Sequence, residues 1–305
     1  YPPHSVDEIQ AEIQQSLGTS QDGPSLKALL NPALRVVLGI GLLVAILQQI
    51  TGVNAIYFYA TTIFEQSGVG KDAAFAQAVW VGLINVVFTL IAMALIDRLG
   101  RRPLLLIGVL GVAISMSLTA YGFHQATYQL STDKLTQFEG TDIYSVLRTF
   151  DGQVFQDDLA FKSALKRALG EQMYQQHEGE LISAAIHMNP ILVLIGILGF
   201  VASFAVSLGP VMWVLLSELF PTHIRGIAIS AVGFINSVVS FLVQLIFPWE
   251  LAHFGNSVSY LLFAILAIIG LVILYFSLPE TKGRSLEELE AELIGTETPA
   301  PKSLS

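Results

Sequence analysis

Apolar residues dominate six stretches of the chain, at about 34–64, 73–96, 103–122, 190–217, 226–247 and 257–278. No charged residue stands between Arg35 and Glu65, between Asp72 and Asp97, or between Glu180 and Glu218. Roughly 20 apolar residues, rising about 1.5 Å each, cross a hydrocarbon core. A charge in mid-bilayer costs about 2.5–3.5 kcal/mol. Six such runs in series predict an all-α membrane protein with six transmembrane helices.

The polar segments divide the rest. Residues 1–33 read as a linker carrying a short amphipathic helix over 5–17. There Ser5 and Glu8 form a capping-box pair, and Val6, Ile9, Ile13 and Leu17 recur at helical spacing. Spans one to three occupy 34–122 and spans four to six 190–278. Between them, 123–189 is a long polar insertion. Leu159, Phe161, Leu165 and Leu169 predict one helix over Asp157 to Gln176. It is read either as part of an external cap or as a flexible insertion with no role of its own. Residues 279–305 form a tail.

Basic residues set the orientation. Lys27 and Arg35, then Arg98, Arg101 and Arg102, then Arg225, then Lys282 and Arg284 all fall on one side, which the positive-inside rule makes cytoplasmic. Both ends of the chain then face the cytoplasm, and 123–189 is extracytoplasmic. Long loops translocate largely regardless of charge, so the five basic residues of the insertion do not oppose this.

Composition adds limits. Charged residues are only 13% of the chain, and mean hydropathy is +0.64. The net charge of −9 lies in the water-facing segments, which gives no footing for nucleic acid. There is no cysteine, so thiol and disulfide chemistry are excluded. Tyr1 is not an initiator Met and no signal peptide follows, which leads us to expect a fragment whose upstream half is missing.

Polar residues inside spans are costly unless they face the bundle interior or water. Gln48, Gln49, Thr51 and Asn54 cluster around Gly52 in span one, where a break is expected. Asn85 lies in span two. Gly209–Pro210 is expected to interrupt span four, with Trp213 just beyond. Span five carries Asn236, Ser237 and Gln244. Amides both donate and accept, as sugar hydroxyls require, and a Trp face suits the C–H face of a pyranose. The pattern points to a neutral, polyhydroxylated ligand, although each amide taken singly also suits interhelical bonding. No nucleophile–base pair, metal cluster or phosphate loop is present, so neither an enzyme nor a cofactor is expected.

Four motifs lie at cytoplasmic span ends or helix breaks: QQITGVN at 48–54, DRLGRRPLLLIG at 97–108, GPVMWVLLSELFPTHIRG at 209–226 and PETKGRSLEELE at 279–290. Together and in this order they resemble the sugar porter family of the major facilitator superfamily, with the match running outside 123–187. The resemblance implies helices seven to twelve, the carboxy-terminal half of a transporter similar to bacterial xylose and glucose porters. That half would pack in the lipid bilayer against a missing amino-terminal six-helix half and work by alternating access. By motif position it implies sugar contacts at Gln48, Gln49, Asn54, Asn85, Trp213 and Asn236. It implies an outer gate at Phe58 and Tyr59, and cytoplasmic gate charges at Asp97, Arg98, Arg101, Arg102, Glu218, Arg225, Glu280 and Arg284. Residues 5–17 and 285–294 resemble parts of the family's cytoplasmic helical domain. Ser237 stands where Trp is common and Phe58 where Tyr is common. The family's proton-coupling carboxylate lies in its first helix, outside this chain. Proton symport of a hexose or pentose is the expected activity, in a membrane that the compact loops suggest is a bacterial inner membrane. Polyol (inositol) transport and a non-transporting sugar sensor are the alternatives.

Overall fold

The computed structural model describes residue 29, residues 34–222 and residues 224–280. The expected helices over 5–17 and 285–294, and Lys27, Lys282 and Arg284, lie outside the described residues. Among the described residues, five helical stretches are long and apolar enough to cross a membrane: Arg35–Glu65, Lys71–Leu99, Arg101–His124, Pro190–Leu219 and Arg225–Ser277. The first comprises α1 (Arg35–Ile50) and α2 (Val53–Glu65). The second and third are α3 (Lys71–Leu99) and α4 (Arg101–His124).

The last stretch makes two passes. Asn236 donates to the Ala45 carbonyl oxygen, while Gly270 packs on Leu47. In a straight helix residues 236 and 270 would stand roughly 50 Å apart. The chain folds back at Gly255, whose φ of 76° and ψ of 173° suit a residue without Cβ. Phe247 stacks on Phe263 across this hairpin. The predicted spans over 226–247 and 257–278 are thus its two arms. The expected loop over 248–256 is instead helical except at Gly255.

Breaks inside the first and fourth spans have distinct causes. Gly52, with φ 89°, separates α1 from α2, as its mid-span position suggests. In the fourth span the break falls at Ser207, two residues ahead of the predicted Gly209–Pro210. Pro210 instead sits in the first turn of the following helix, where its missing N–H costs nothing.

The insertion has its own core. It holds α5 (Thr132–Leu135), α6 (Tyr144–Leu147), α7 (Asp158–Leu169) and α8 (Glu171–Ala185). Strands β1 (Thr127–Gln129), β2 (Val154–Phe155) and β3 (Ile186–His187) form a sheet of order β2-β1-β3, antiparallel throughout. The pairing of β1 with β3 ties together the two ends of the insertion. Tyr128, Leu147, Phe161, Leu165, Tyr174 and Ile182 are fully buried there. The single predicted helix over Asp157–Gln176 is two, split at Gly170 (φ 80°).

The remaining two membrane helices are α9 (Pro190–Val206) and α10 (Leu208–Leu219), followed by the hairpin α11 (Arg225–Ser277). Helices α4 and α9 approach closely because Gly108, Gly111 and Gly196 face Ser207, Ser203 and Thr119, leaving no room for a Cβ. Small residues at such contacts are the usual packing device where lipid removes the hydrophobic drive between helices. Helix α3 is the outermost: Phe75, Trp80 and Leu90 are exposed along it, an apolar face suited to lipid.

Candidate polar groove and helix-end charge cluster

The break at Gly52 turns the end of α1 and the start of α2 toward the hairpin arm at 236–244. An open groove of about 520 Å³ forms there, lined by Gln49, Asn54, Asn236, Ser237, Ser240, Phe241, Gln244 and Leu245. None of these residues carries a charge, and the volume lies in the range of small-molecule sites.

Its amides are linked. Asn54 Nδ2 donates to Gln49 Oε1 (2.8 Å) and to Ser240 Oγ (2.5 Å). Gln49 Nε2 donates to Asn236 Oδ1 (3.0 Å). Asn236 Nδ2 donates to Gln48 Oε1 (2.8 Å) and to the Ala45 carbonyl oxygen (2.9 Å). Gln244 Nε2 donates to Ser240 Oγ (3.1 Å).

The candidate contacts separate on this geometry. Gln49, Asn54 and Asn236 line the groove. Gln48 does not: it stands behind them, buried, and donates to the Leu208 carbonyl oxygen across the Ser207 break. Asn85 is half-buried on α3 and outside the lining. Trp213 is 46% exposed against Gly233 and also outside it. Ser240, not expected from the sequence, is central. It lies one helical turn from Asn236 and one from Gln244, and that spacing was the available signal.

The paired gate residues also part. Phe58 is 70% exposed, whereas Tyr59 packs on Phe247 with ring centroids 5.4 Å apart. Neighbouring positions on a helix point about 100° apart, so the two rings face different surroundings.

A family model described as "Sugar (and other) transporter" matches residues 2–138 and 173–293. The chain belongs to the sugar transporter family. The D-xylose-proton symporter of Escherichia coli is 32% identical over 261 residues, covering 84% of this chain and 41% of that protein. The arabinose-proton symporter of Bacillus subtilis is 32% identical over 278 residues, covering 91% and 47%. A solved structure of the major facilitator superfamily proton:xylose symporter XylE, bound to 6-bromo-6-deoxy-D-glucose, is similar at a TM-score of 0.58 and 31% identity, over 84% of this chain and 42% of that one. The fold is that of the major facilitator superfamily, and the chain spans about half the length of the curated relatives it matches.

In this sugar transporter family member the charges at the ends of these helices form a compact cluster. Arg101 donates from Nε (3.0 Å) and from a terminal nitrogen (2.5 Å) to Glu218 Oε1, and pairs with Asp97 at 3.1 Å. Glu280 accepts from the backbone N–H groups of Arg101 (3.1 Å) and Arg102 (3.2 Å). It thereby caps the start of α4, where amides lack partners and the helix dipole favours an anion. Gly100 makes room for it, since a Cβ there would lie 2.7 Å from Glu280 Oε2. Arg102 donates to the Tyr275 carbonyl oxygen and lies over that ring. Arg225 stays local, donating to the Phe220 carbonyl oxygen and the Thr222 hydroxyl. Helices α3, α4, α10 and α11 are joined at one point.

Proposed function

We propose that this chain forms the carboxy-terminal six-helix half of a multi-pass transporter for a neutral sugar. It lines half of a midplane site and works by alternating access, coupled to protons in the full-length protein. The observation that carries this is the open, charge-free groove of linked amides and hydroxyls beside the Gly52 break. Asn54 and Gln244 keep carbonyl oxygens with no protein donor among the described residues, so acceptors remain for ligand hydroxyls. Exposed Phe241 and Leu245 flank them and suit the apolar face of a pyranose. A groove open along one side fits a second six-helix half completing the wall. The relatives named for D-xylose and arabinose symport favour a pentose or hexose over an inositol. Transport, not enzymatic turnover, is the activity proposed. The Asp97–Arg101–Glu218 cluster with Glu280 serves as a breakable lock on the cytoplasmic side, with both ends of this chain facing the cytoplasm.

The test is uptake of labelled D-xylose and D-glucose by the full-length protein carrying Gln49→Ala, Asn54→Ala or Asn236→Ala. Loss of one or two ligand hydrogen bonds raises KM roughly three- to thirtyfold. Unchanged affinity in all three variants removes the site. Saturable uptake by this chain reconstituted alone removes the half-transporter reading.

A further inference from the structure

A second polar cavity, of about 450 Å³, lies above the groove on the extracytoplasmic side. Its floor is made by the same two elements that make the groove. Tyr59, Thr62 and Gln66 continue α2 beyond Asn54, and Pro248 lies one turn past Gln244 on the hairpin. Tyr59, at the edge of this cavity, packs on Phe247 of the hairpin arm that lines the groove. The insertion supplies the roof, from α7 and α8, and its buried aromatic core holds both helices in place.

The lining has a definite chemistry. Its cations are matched: Lys162 pairs with Asp158 at 3.2 Å and Lys166 with Glu171 at 3.0 Å. Glu178 accepts from the Tyr174 hydroxyl. With Lys162 satisfied by Asp158 and Lys166 by Glu171, no lining cation is left unmatched and one carboxylate, Glu178, is, which disfavours an anion as ligand. Gln175 donates to Glu171, and Ser163 presents an exposed side chain. Gln66 is only 7% exposed, and its Oε1 has no hydrogen-bond partner. A buried amide oxygen without a donor costs about 1–3 kcal/mol, and turning that side chain into the cavity would let a ligand hydroxyl relieve it. Apolar Leu159, Leu251 and the Tyr59 ring complete the walls. Paired polar groups beside an aromatic ring and an unsatisfied amide suit a neutral polyhydroxylated molecule.

We propose that this cavity is an outer subsite that binds the sugar before it passes the Tyr59–Phe247 contact. This rests on the sugar reading above and adds a station to it. The cavity is built from this chain's residues, and it is tested in the full-length protein in lipid nanodiscs, where the groove has both of its walls. Hydrogen–deuterium exchange is followed with D-xylose and with D-glucose at peptides covering 159–178 and 49–56. Sugar is expected to slow exchange at 159–178 in the wild type and equally in the Gln49→Ala/Asn54→Ala double variant. Ser163→Trp, which fills the cavity, should abolish that protection while leaving protection at 49–56. Gln66→Ala should weaken it roughly three- to tenfold in sugar concentration, and it decides the matter if Ser163→Trp unfolds the insertion. Protection at 159–178 that vanishes in the double variant, or that survives Ser163→Trp and Gln66→Ala, overturns the outer subsite and leaves the groove intact. Absence of protection at both regions overturns the outer subsite and the sugar reading together.

Discussion

Replacing Asp158 with alanine tests how the insertion is anchored to the membrane helices. Asp158 Oδ2 accepts from Lys162 Nζ (3.2 Å), from the Asn256 backbone N–H (3.1 Å) and from Asn256 Nδ2 (3.2 Å). The side chains of Asp158 and Lys162 are only 11% and 9% exposed. One carboxylate therefore neutralises a buried ammonium and caps the helix that restarts after Gly255. Its removal strands Lys162 as an unpaired buried charge, which costs about 3–5 kcal/mol. The lost Asn256 partner overlaps with that cost and does not simply add. We expect Asp158→Ala to lower the local stability of the joint by about 3–4 kcal/mol. Lys162→Met leaves the carboxylate with two N–H donors and should cost only about 1–2 kcal/mol. The double variant should be no worse than Asp158→Ala alone, because the stranded charge is gone. Native-state hydrogen exchange on the reconstituted protein reads this at 158–169 and 255–262, which should loosen together. A cost for Asp158→Ala below about 1 kcal/mol, or single-variant costs that add within about 0.5 kcal/mol, would refute the anchoring argument.

Three further outcomes follow from the geometry. Gly255→Ala places a Cβ 2.3 Å from Asp158 Oδ1 at a backbone conformation essentially confined to glycine. It should destabilise the hairpin by about 2–3 kcal/mol in a thermal or denaturant assay, and a neutral effect would mean that the turn lies elsewhere. Arg101→Lys loses the forked contact to Glu218. A thiol introduced by Ser217→Cys should then be labelled about tenfold faster from the face that carries this cluster; equal rates would remove the lock. Glu180 is held below its ordinary value of 4.5, first by its hydrogen bond from Lys71 and then by His177. A depressed carboxyl stabilises above its unfolded value and loses that contribution as pH falls through the folded one. The tie between α3 and α8 should therefore hold at neutral pH and loosen below about pH 4.5, where Lys71→Met should show no such step in hydrogen exchange at 171–185. Both groups are well exposed, so the step is small.

The membrane helices were legible because the bilayer imposes a one-residue rule: a charge is costly anywhere along a span, so its absence over 20 or more residues is decisive. The Gly52 break was legible for a related reason, since polar residues crowd around a mid-span glycine. The reversal between the spans over 226–247 and 257–278 was expected, but as a loop over 248–256; the structure keeps the segment helical and turns at Gly255 alone, a form that no pattern of polar residues announces. The insertion's sheet was invisible too. Strands of two or three residues have no alternation to read, and β1 pairs with β3 across nearly sixty residues. The break at Ser207 was displaced in prediction because Gly209–Pro210 is the conspicuous pair, yet proline in a first helical turn does not interrupt it.

The candidate site divides along the same line. Sequence identifies which residues are polar in an apolar span, but adjacent positions on a helix face different neighbours. Gln48 and Gln49 look equivalent in QQITGVN. The structure spends Gln48 on the Leu208 carbonyl and on Asn236, so it sets the spacing of α1, α10 and α11. Gln49 reaches the groove and is held there by Asn236 and Asn54. The interhelical and ligand-facing roles of these amides are therefore successive layers of one network. The buried layer fixes the distances at which the outer layer meets a ligand. A comparable layering recurs beneath the insertion, where the buried Asp158–Lys162 pair ties α7 to the hairpin at Asn256 while Ser163 stays exposed on the same helix. In the groove, neutral polar groups are presented by a scaffold whose own amides are bonded to one another, so a charged molecule would meet no counter-charge there.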